Sequence, residues 1–213
     1  KCLARRDDRD PWEAAYLPID PADIGRSYQE VIRINSQSGK GGVAYVLKRD
    51  HGLDIPRWLQ IDFSSAVQSL AEHSESEVVS DDIYQLFLNT YALDRSNVQV
   101  GRYQLAREET VDALQVDIVV GNTPTSITGR GNGVVAAFVD ALGVYTGTKL
   151  VVVEYSEHTL GRDAEAEAIC YVQVAIDGRR SCGVGRSQDI VQASMAAIVS
   201  AVSRASVFRD LAA

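Results

Sequence analysis

Twice in the second half of this chain a glycine-x-glycine triplet stands between alternating apolar runs and a stretch of alanine and valine at helical spacing. The first triplet is Gly129-Arg130-Gly131, followed by Val134, Val135, Phe138, Val139 and Leu142. The second is Gly183-Val184-Gly185, followed by the alanine- and valine-rich segment Ser187–Ser206. Strand-like segments precede each helix: Val98–Leu105, Val111–Val120 and Thr125–Arg130 in the first half, Lys149–Ser156, Ala164–Ile176 and Arg179–Gly185 in the second. In Val111–Val120, Leu114, Val116, Ile118 and Val120 fall on one face and Val111, Ala113, Gln115, Asp117 and Val119 on the other. Gly121-Asn122-Thr123-Pro124 and Asp177-Gly178 read as hairpin turns. The order strand, strand, strand, helix is thus stated twice, a pattern repeat more than a repeat of identity. It restricts the fold to two βββα units with helices on antiparallel sheets. Ala136, Ala137, Ala141, Ala193, Ala196, Ala197 and Ala201 leave room for close helix packing.

Within the first unit, Thr125–Ala141 reads as strand, glycine turn and helix, with the turn at Gly129-Arg130-Gly131-Asn132-Gly133. Glycines there let backbone approach a ligand with no Cβ in the way. The helix start offers unpaired N–H groups and the positive end of its dipole, which suit a carboxylate or phosphate. A tight strand-to-helix turn with no ligand is the other reading.

Upstream the grammar is helical. Pro11–Pro21 carries three of the five prolines and reads as an extended connector. Asp20-Pro21-Ala22-Asp23 looks like a helix start. Asn35 and Ser36 are capping residues, Gly39, Gly41 and Gly42 are expected to form a flexible loop, and Gly42–Lys48 a helix. Lys40 is followed by glycine, so this is not a P-loop. Leu59, Phe63, Val67 and Leu70 share one helix face. Glu72–Val79 is polar. Ser80 with Asp81 and Asp82 opens another helix, whose apolar face is Ile83, Leu86, Phe87 and Tyr91. The expected class is α+β. A connector over 1–19 leads to a small helical linker subdomain over 20–94, then a duplicated βββα domain over 95–213.

The 213 residues carry a net charge of −8, which argues against a nucleic-acid binder, since that needs a basic face to displace counterions. No run reaches the length of a membrane span, so no membrane partner is expected. Cys2, Cys170 and Cys182 are odd in number and form no C-x-x-C pair, which fits a reducing, cytoplasmic setting. His51, His73 and His158 stand far apart, so no metal site is expected. There is no Gly-x-Ser-x-Gly nucleophile elbow, and Cys170 and Cys182 read as small buried groups within strands. The chain opens at Lys1 and its only methionine is Met195, so a longer parent protein is expected. Bottom-up, the chain is a poor candidate for a self-contained enzyme.

Longer motifs are specific enough to point to a family. Tyr16-Leu17-Pro18-Ile19-Asp20-Pro21 and the run Arg33–Tyr45, with its N-S-Q-S-G-K-G-G-V-A-Y core, resemble the region after the catalytic barrel of the 2-isopropylmalate synthase family. His51-Gly52-Leu53, Pro56-Arg57, Leu59-Gln60-Ile61, Gly129–Phe138 and Tyr155-Ser156-Glu157-His158 continue it, so that it covers essentially the whole chain. The resemblance implies that this chain is a linker subdomain plus a leucine-binding, dimerising regulatory domain. In the family a TIM barrel binds a divalent metal and condenses acetyl-CoA with 2-oxoisovalerate, the first committed step of leucine synthesis. That barrel, with its metal ligands, is missing from this chain, which alone is expected to be inactive and to bind no cofactor. The related citramalate and homocitrate synthases share parts of the layout. A citramalate synthase portion binding isoleucine, or a free-standing amino-acid-binding module, is therefore the alternative.

Carried over residue by residue, the resemblance assigns Tyr45 a supporting role at the partner subunit's active site. It places leucine near Gly131, Asn132, Gly133 and Ala136 at the helix start, near Val152, Tyr155 and Thr159 on the next strand, and near Ala164 after it. One departure is Val134, where the family commonly has a proline that fixes the first helical turn.

Overall fold

The computed structural model describes residues 40–73, 79–93, 98–108, 110–161 and 166–209. The expected connector over 1–19, the helix start at Asp20–Asp23, Gly39 and Ala164 lie outside the described residues. The fold class is α+β. Three helices come first: α1 (Lys40–His51), α2 (Arg57–His73) and α3 (Ser80–Thr90). Two three-stranded antiparallel sheets follow, each with its helix.

The helices meet around Phe63, Phe87 and Tyr91. Phe63 and Phe87 pack edge to face, 5.2 Å between centroids at 84°, the arrangement that ring quadrupoles favour. Leu47, Leu59 and Ile83 are buried around them. Gly41 and Gly42 belong to α1, not to the expected loop. Neither has a positive φ, and nothing stands within 4 Å of where their Cβ atoms would be. Helical glycine costs roughly 1 kcal/mol against alanine, and burial of Val43, Val46 and Leu47 on the same helix offsets it. The chain leaves α1 through Gly52 at φ +71°, where the Gly52 N–H reaches the Lys48 carbonyl and the Leu53 N–H the Leu47 carbonyl. Helix α3 opens at Ser80 as expected. The Asp82 carboxylate accepts the Val79 N–H, while the Ser80 hydroxyl turns away to donate to Asp50 at 2.7 Å.

The first sheet runs β1 (Val98–Glu108), β2 (Val111–Val120), β3 (Thr123–Gly131), and α4 (Val134–Thr146) packs on it. The second runs β4 (Leu150–Leu160), β5 (Glu167–Ile176), β6 (Arg179–Ser187), and α5 (Ile190–Arg204) packs on it. One core joins the halves: Leu114, Val116, Ile118, Phe138 and Leu142 of the first with Cys170, Val172, Val174, Met195 and Ile198 of the second. The repeat extends to irregularities. The β1–β2 register shifts between Val100 and Tyr103, and the β4–β5 register between Val152 and Glu154. Such bulges re-aim the side chains beyond them.

Strand β2 alternates buried and exposed as expected. Strand β5 does not, because both its faces are covered and nearly every residue from Ala168 to Ile176 is buried. Thr123 and Pro124 were expected in the turn but begin β3, an edge strand where a missing N–H is tolerated. The turn is Gly121-Asn122, with Gly121 at φ +62°. Ser187 likewise ends β6 and does not open the helix.

Candidate functional site

The glycine triplets are strand, not turn. Gly129, Arg130 and Gly131 are the last residues of β3, and the turn is only Asn132-Gly133. A Cβ on Gly129 would stand 2.3 Å from the Ala137 carbonyl oxygen, and one on Gly131 would stand 2.4 Å from the Ala137 nitrogen. In the second half a Cβ on Gly183 would stand 2.1 Å from the Ala197 oxygen, and one on Gly185 2.2 Å from the Ala193 oxygen. Both pairs therefore exist so that helix backbone lies directly on strand backbone. The expectation that Gly129 and Gly131 clear space for a ligand is corrected: the helix occupies that space. Sequence periodicity did not show this because a glycine in a turn and a glycine under a helix look the same in one dimension.

The two helix starts differ. Ala137 follows Gly129 by 8 residues, whereas its counterpart Ala197 follows Gly183 by 14. Of the six extra residues, two extend β6 past its second glycine and four add a turn to the start of α5. Asp189 caps that start: one carboxylate oxygen accepts the Val191 N–H at 2.8 Å and the other the Tyr103 hydroxyl at 2.8 Å. At α4 the capping residue is Gly133, at φ +111°, and no side chain caps the helix. The α4 start is thus the one with N–H groups left for an outside acceptor. Gly131, Asn132, Gly133 and Ala136 all gather there, with Asn132 and Ala136 exposed. Val134 is the first residue of α4 and half-buried against the core.

Val152, Tyr155 and Thr159 lie along β4. Val152 pairs with Val174, Tyr155 with Val172 and Thr159 with Ala168. The bulge between Val152 and Glu154 keeps Val152 and Tyr155 on one face, the face that α5 covers. Helix α4 also touches β4, but the Tyr155 hydroxyl is turned to α5. It lies 2.8 Å from Ser194 Oγ and 3.6 Å from Cys170 Sγ, and donates to the Glu157 carboxylate. Burial, reinforced by Glu157, pushes the phenol above its usual range. Burial also raises the Cys170 thiol, which makes it a poor nucleophile. In the sequence Cys170 reads only as a small buried group and Glu157 only as part of a motif, and Ser194 is not picked out. The available signal was a serine inside an alanine-valine helix, a place where its hydroxyl must find a partner.

In the first half Leu105 takes the position of Tyr155: Leu105 pairs with Leu114 opposite Gly129, as Tyr155 pairs with Val172 opposite Gly183. A cavity of about 520 Å³ opens there, lined by Leu105, Leu114, Thr128, Gly129, Arg130 and Asp140 among others. It lies beside α4 and includes none of Gly131, Asn132, Gly133 or Ala136.

Tyr45 is 44% exposed on α1, with the Arg49 guanidinium 5.6 Å above its ring. His51 ends α1 and stacks on Tyr84 at 4.1 Å. His158, expected after a strand, lies within β4. Among the described residues no three His, Cys, Asp or Glu side chains converge as a metal donor set. Nor, among them, is any helix long and apolar enough to cross a membrane.

Two families match the chain. The LeuA allosteric (dimerisation) domain matches residues 77–206, and the alpha-isopropylmalate synthase post-catalytic domain matches residues 1–48. Similar curated proteins are 2-isopropylmalate synthases. That of Leifsonia xyli is 46% identical over 91% of this chain and 34% of its own length. That of Alcanivorax borkumensis is 44% identical over 96% of this chain and 37% of its own length. That of Thermobifida fusca is 47% identical over 91% of this chain and 34% of its own length. The chain spans about a third of the length of these relatives.

Proposed function

Because the chain belongs to the family of the LeuA allosteric (dimerisation) domain, we propose that it is the regulatory portion of a 2-isopropylmalate synthase, which dimerises and binds leucine as feedback inhibitor. The parent protein is an acyltransferase that condenses acetyl-CoA with 2-oxoisovalerate on a barrel carrying a divalent metal. On this reading the barrel holds the metal, and this chain alone is inactive.

The observation that carries the leucine reading is the contrast between the helix starts. Helix α5 is capped by its own Asp189, and α4 is left without a side-chain cap. A leucine carboxylate accepts the free N–H groups of α4 beside Gly131, Asn132 and Gly133. The isobutyl group packs on Ala136 and Val152, and Tyr155, Thr159 and the segment at Ala164 supply polar and shape contacts. Tyr45 reaches the partner subunit's active site from α1. Inhibition requires that leucine prefer one of two arrangements of these elements.

Gly131 cannot serve as a probe, because any Cβ there collides with Ala136 and Ala137. Ala136→Leu, at an exposed site, and Tyr155→Phe can. In the full-length synthase both variants are expected to raise the leucine concentration needed for half-inhibition, each measured against its own uninhibited rate. Unaltered inhibition in both would sink the assignment.

A further inference from the structure

Tyr155 and Ser194 join β4 to α5 on the inner face of the second sheet. Each of those elements is also fastened to the helices α1–α3, and the two fasteners lie at separate places. On β4, His158 stands three residues beyond Tyr155 and on the opposite face, opposite Ile169. Its Nε2 accepts the backbone N–H of Asp54 at 3.2 Å and lies 2.9 Å from the Tyr171 hydroxyl. An atom that accepts an N–H carries no proton, so Nδ1 holds it and faces the Thr159 carbonyl at 3.4 Å. Leu160, the next residue on that face of β4, lies against Gly52.

The second fastener is on α5. One nitrogen of Arg204 donates both to Asp62 of α2 at 2.9 Å and to the Cys182 carbonyl of β6 at 2.7 Å. The Tyr91 hydroxyl donates to the same Asp62 oxygen at 2.9 Å, and the Arg204 guanidinium lies 4.7 Å over the Tyr91 ring. One turn earlier the Ser200 hydroxyl donates to the Tyr91 carbonyl at 2.7 Å.

Asp54 and Asp62 bracket the start of α2. The loop holding Asp54 is bonded to both helices that it joins. The Leu53 N–H bonds the Leu47 carbonyl at 3.0 Å, Gln60 holds the Ile55 carbonyl at 2.9 Å, and Lys48 pairs with Asp54 at 2.7 Å. Leu53 and Ile55 are buried. These bonds tie Asp54 to α1, which carries Tyr45.

We propose that His158 and Arg204 are positioning residues of a two-point joint, through which a change between β4 and α5 at Tyr155 reorients α1 and hence Tyr45. The identity of the ligand rests on the reading above; the joint does not. It places the moving boundary between α2 and the second sheet, and not at the glycines of α1, which are helical.

Hydrogen–deuterium exchange of this chain, read on the Gly52–Pro56 segment and on α1, tests it without ligand. Ser194→Ala, which removes the α5 partner of Tyr155 and leaves Glu157 in place, is expected to speed exchange there at least about threefold, the scale of one pairwise coupling. In a His158→Phe/Arg204→Met background, Ser194→Ala adds nothing. In a His158→Gln/Arg204→Lys background, where acceptor and donor are kept, the effect returns. An equal effect of Ser194→Ala in all three backgrounds, or none in the wild type, overturns the joint. If the double variant does not fold, His158→Phe alone gives the same comparison. With leucine added, the wild type is expected to slow exchange in α1. The double variant binds leucine with unchanged heat but leaves α1 unprotected. If leucine does not bind the wild type, the leucine reading fails, and the ligand-free arm decides the joint.

Discussion

The carbonyl oxygen of Ala197 lies 2.1 Å from where a Cβ on Gly183 would stand. Real Cβ atoms do not approach so closely, and the atom in the way is backbone, so α5 would have to lift off the sheet. Gly183→Ala is therefore expected to cost about 3 kcal/mol or more, the upper end of overpacking in a core. Gly129→Ala is expected to behave alike against Ala137. Chemical denaturation of the two variants checks this, and wild-type midpoints would refute it.

Gly41 has the opposite expectation. It lies in α1 with open space around its Cβ position. Gly41→Ala is expected to stabilise by roughly 0.5–1 kcal/mol, through helix propensity and a less free unfolded chain. A loss of stability would mean that this segment is the loop the sequence suggests.

Asp189 caps α5 and receives the Tyr103 hydroxyl of β1. Asp189→Ala removes both bonds and is expected to cost about 1–2 kcal/mol. Tyr103→Phe removes one and is expected to cost about 1 kcal/mol or less. Since of the two βββα helices α4 begins without a side-chain cap and α5 with one, the wild-type chain is expected to take one leucine. Asp189→Ala exposes the second helix start, so a second, weaker leucine in that variant is the corresponding outcome in calorimetry.

Asp50 makes the stability depend on acid. The Arg49 guanidinium, then the Ser80 hydroxyl, lower its carboxyl from 3.8 to about 2. A carboxyl depressed on folding contributes stability above its unfolded value, near 4, and loses it as the pH falls toward 2. The group is close to solvent, so the contribution is screened to about 1 kcal/mol or less. The difference in stability between wild type and Asp50→Asn is expected to shrink between pH 4 and pH 2. A constant difference would show that the ion pair is not thermodynamically engaged.

The duplicated βββα order was legible because β2 keeps a strict inside–outside period and because Ala137, Ala141, Ala197 and Ala201 mark helix faces that allow close approach. Strand type was legible in β5 but its environment was not. A strand buried on both faces has no period to read. The role of Gly129 and Gly131 was misread because the partner they serve is helix backbone, which leaves no side-chain signature. Gly41 and Gly42 show tertiary packing overriding propensity: Val46 and Leu47 are buried whatever the glycines prefer. The residues around Tyr155 were half legible. Tyr155 came through a motif, but Ser194 and Cys170 meet it only because β4, β5 and α5 converge. His158 and Asp54 are 104 residues apart, and no local pattern announces a side-chain-to-backbone bond at that range.

The central claim is that an uncapped α4 start, with Ala136, Val152, Tyr155 and Thr159, forms a leucine site. Isothermal titration of this chain with leucine, and separately with isoleucine, tests it most directly. One leucine per chain is expected, bound more tightly than isoleucine, with affinity reduced by Ala136→Leu. No heat with either amino acid, or tighter binding of isoleucine, would contradict it.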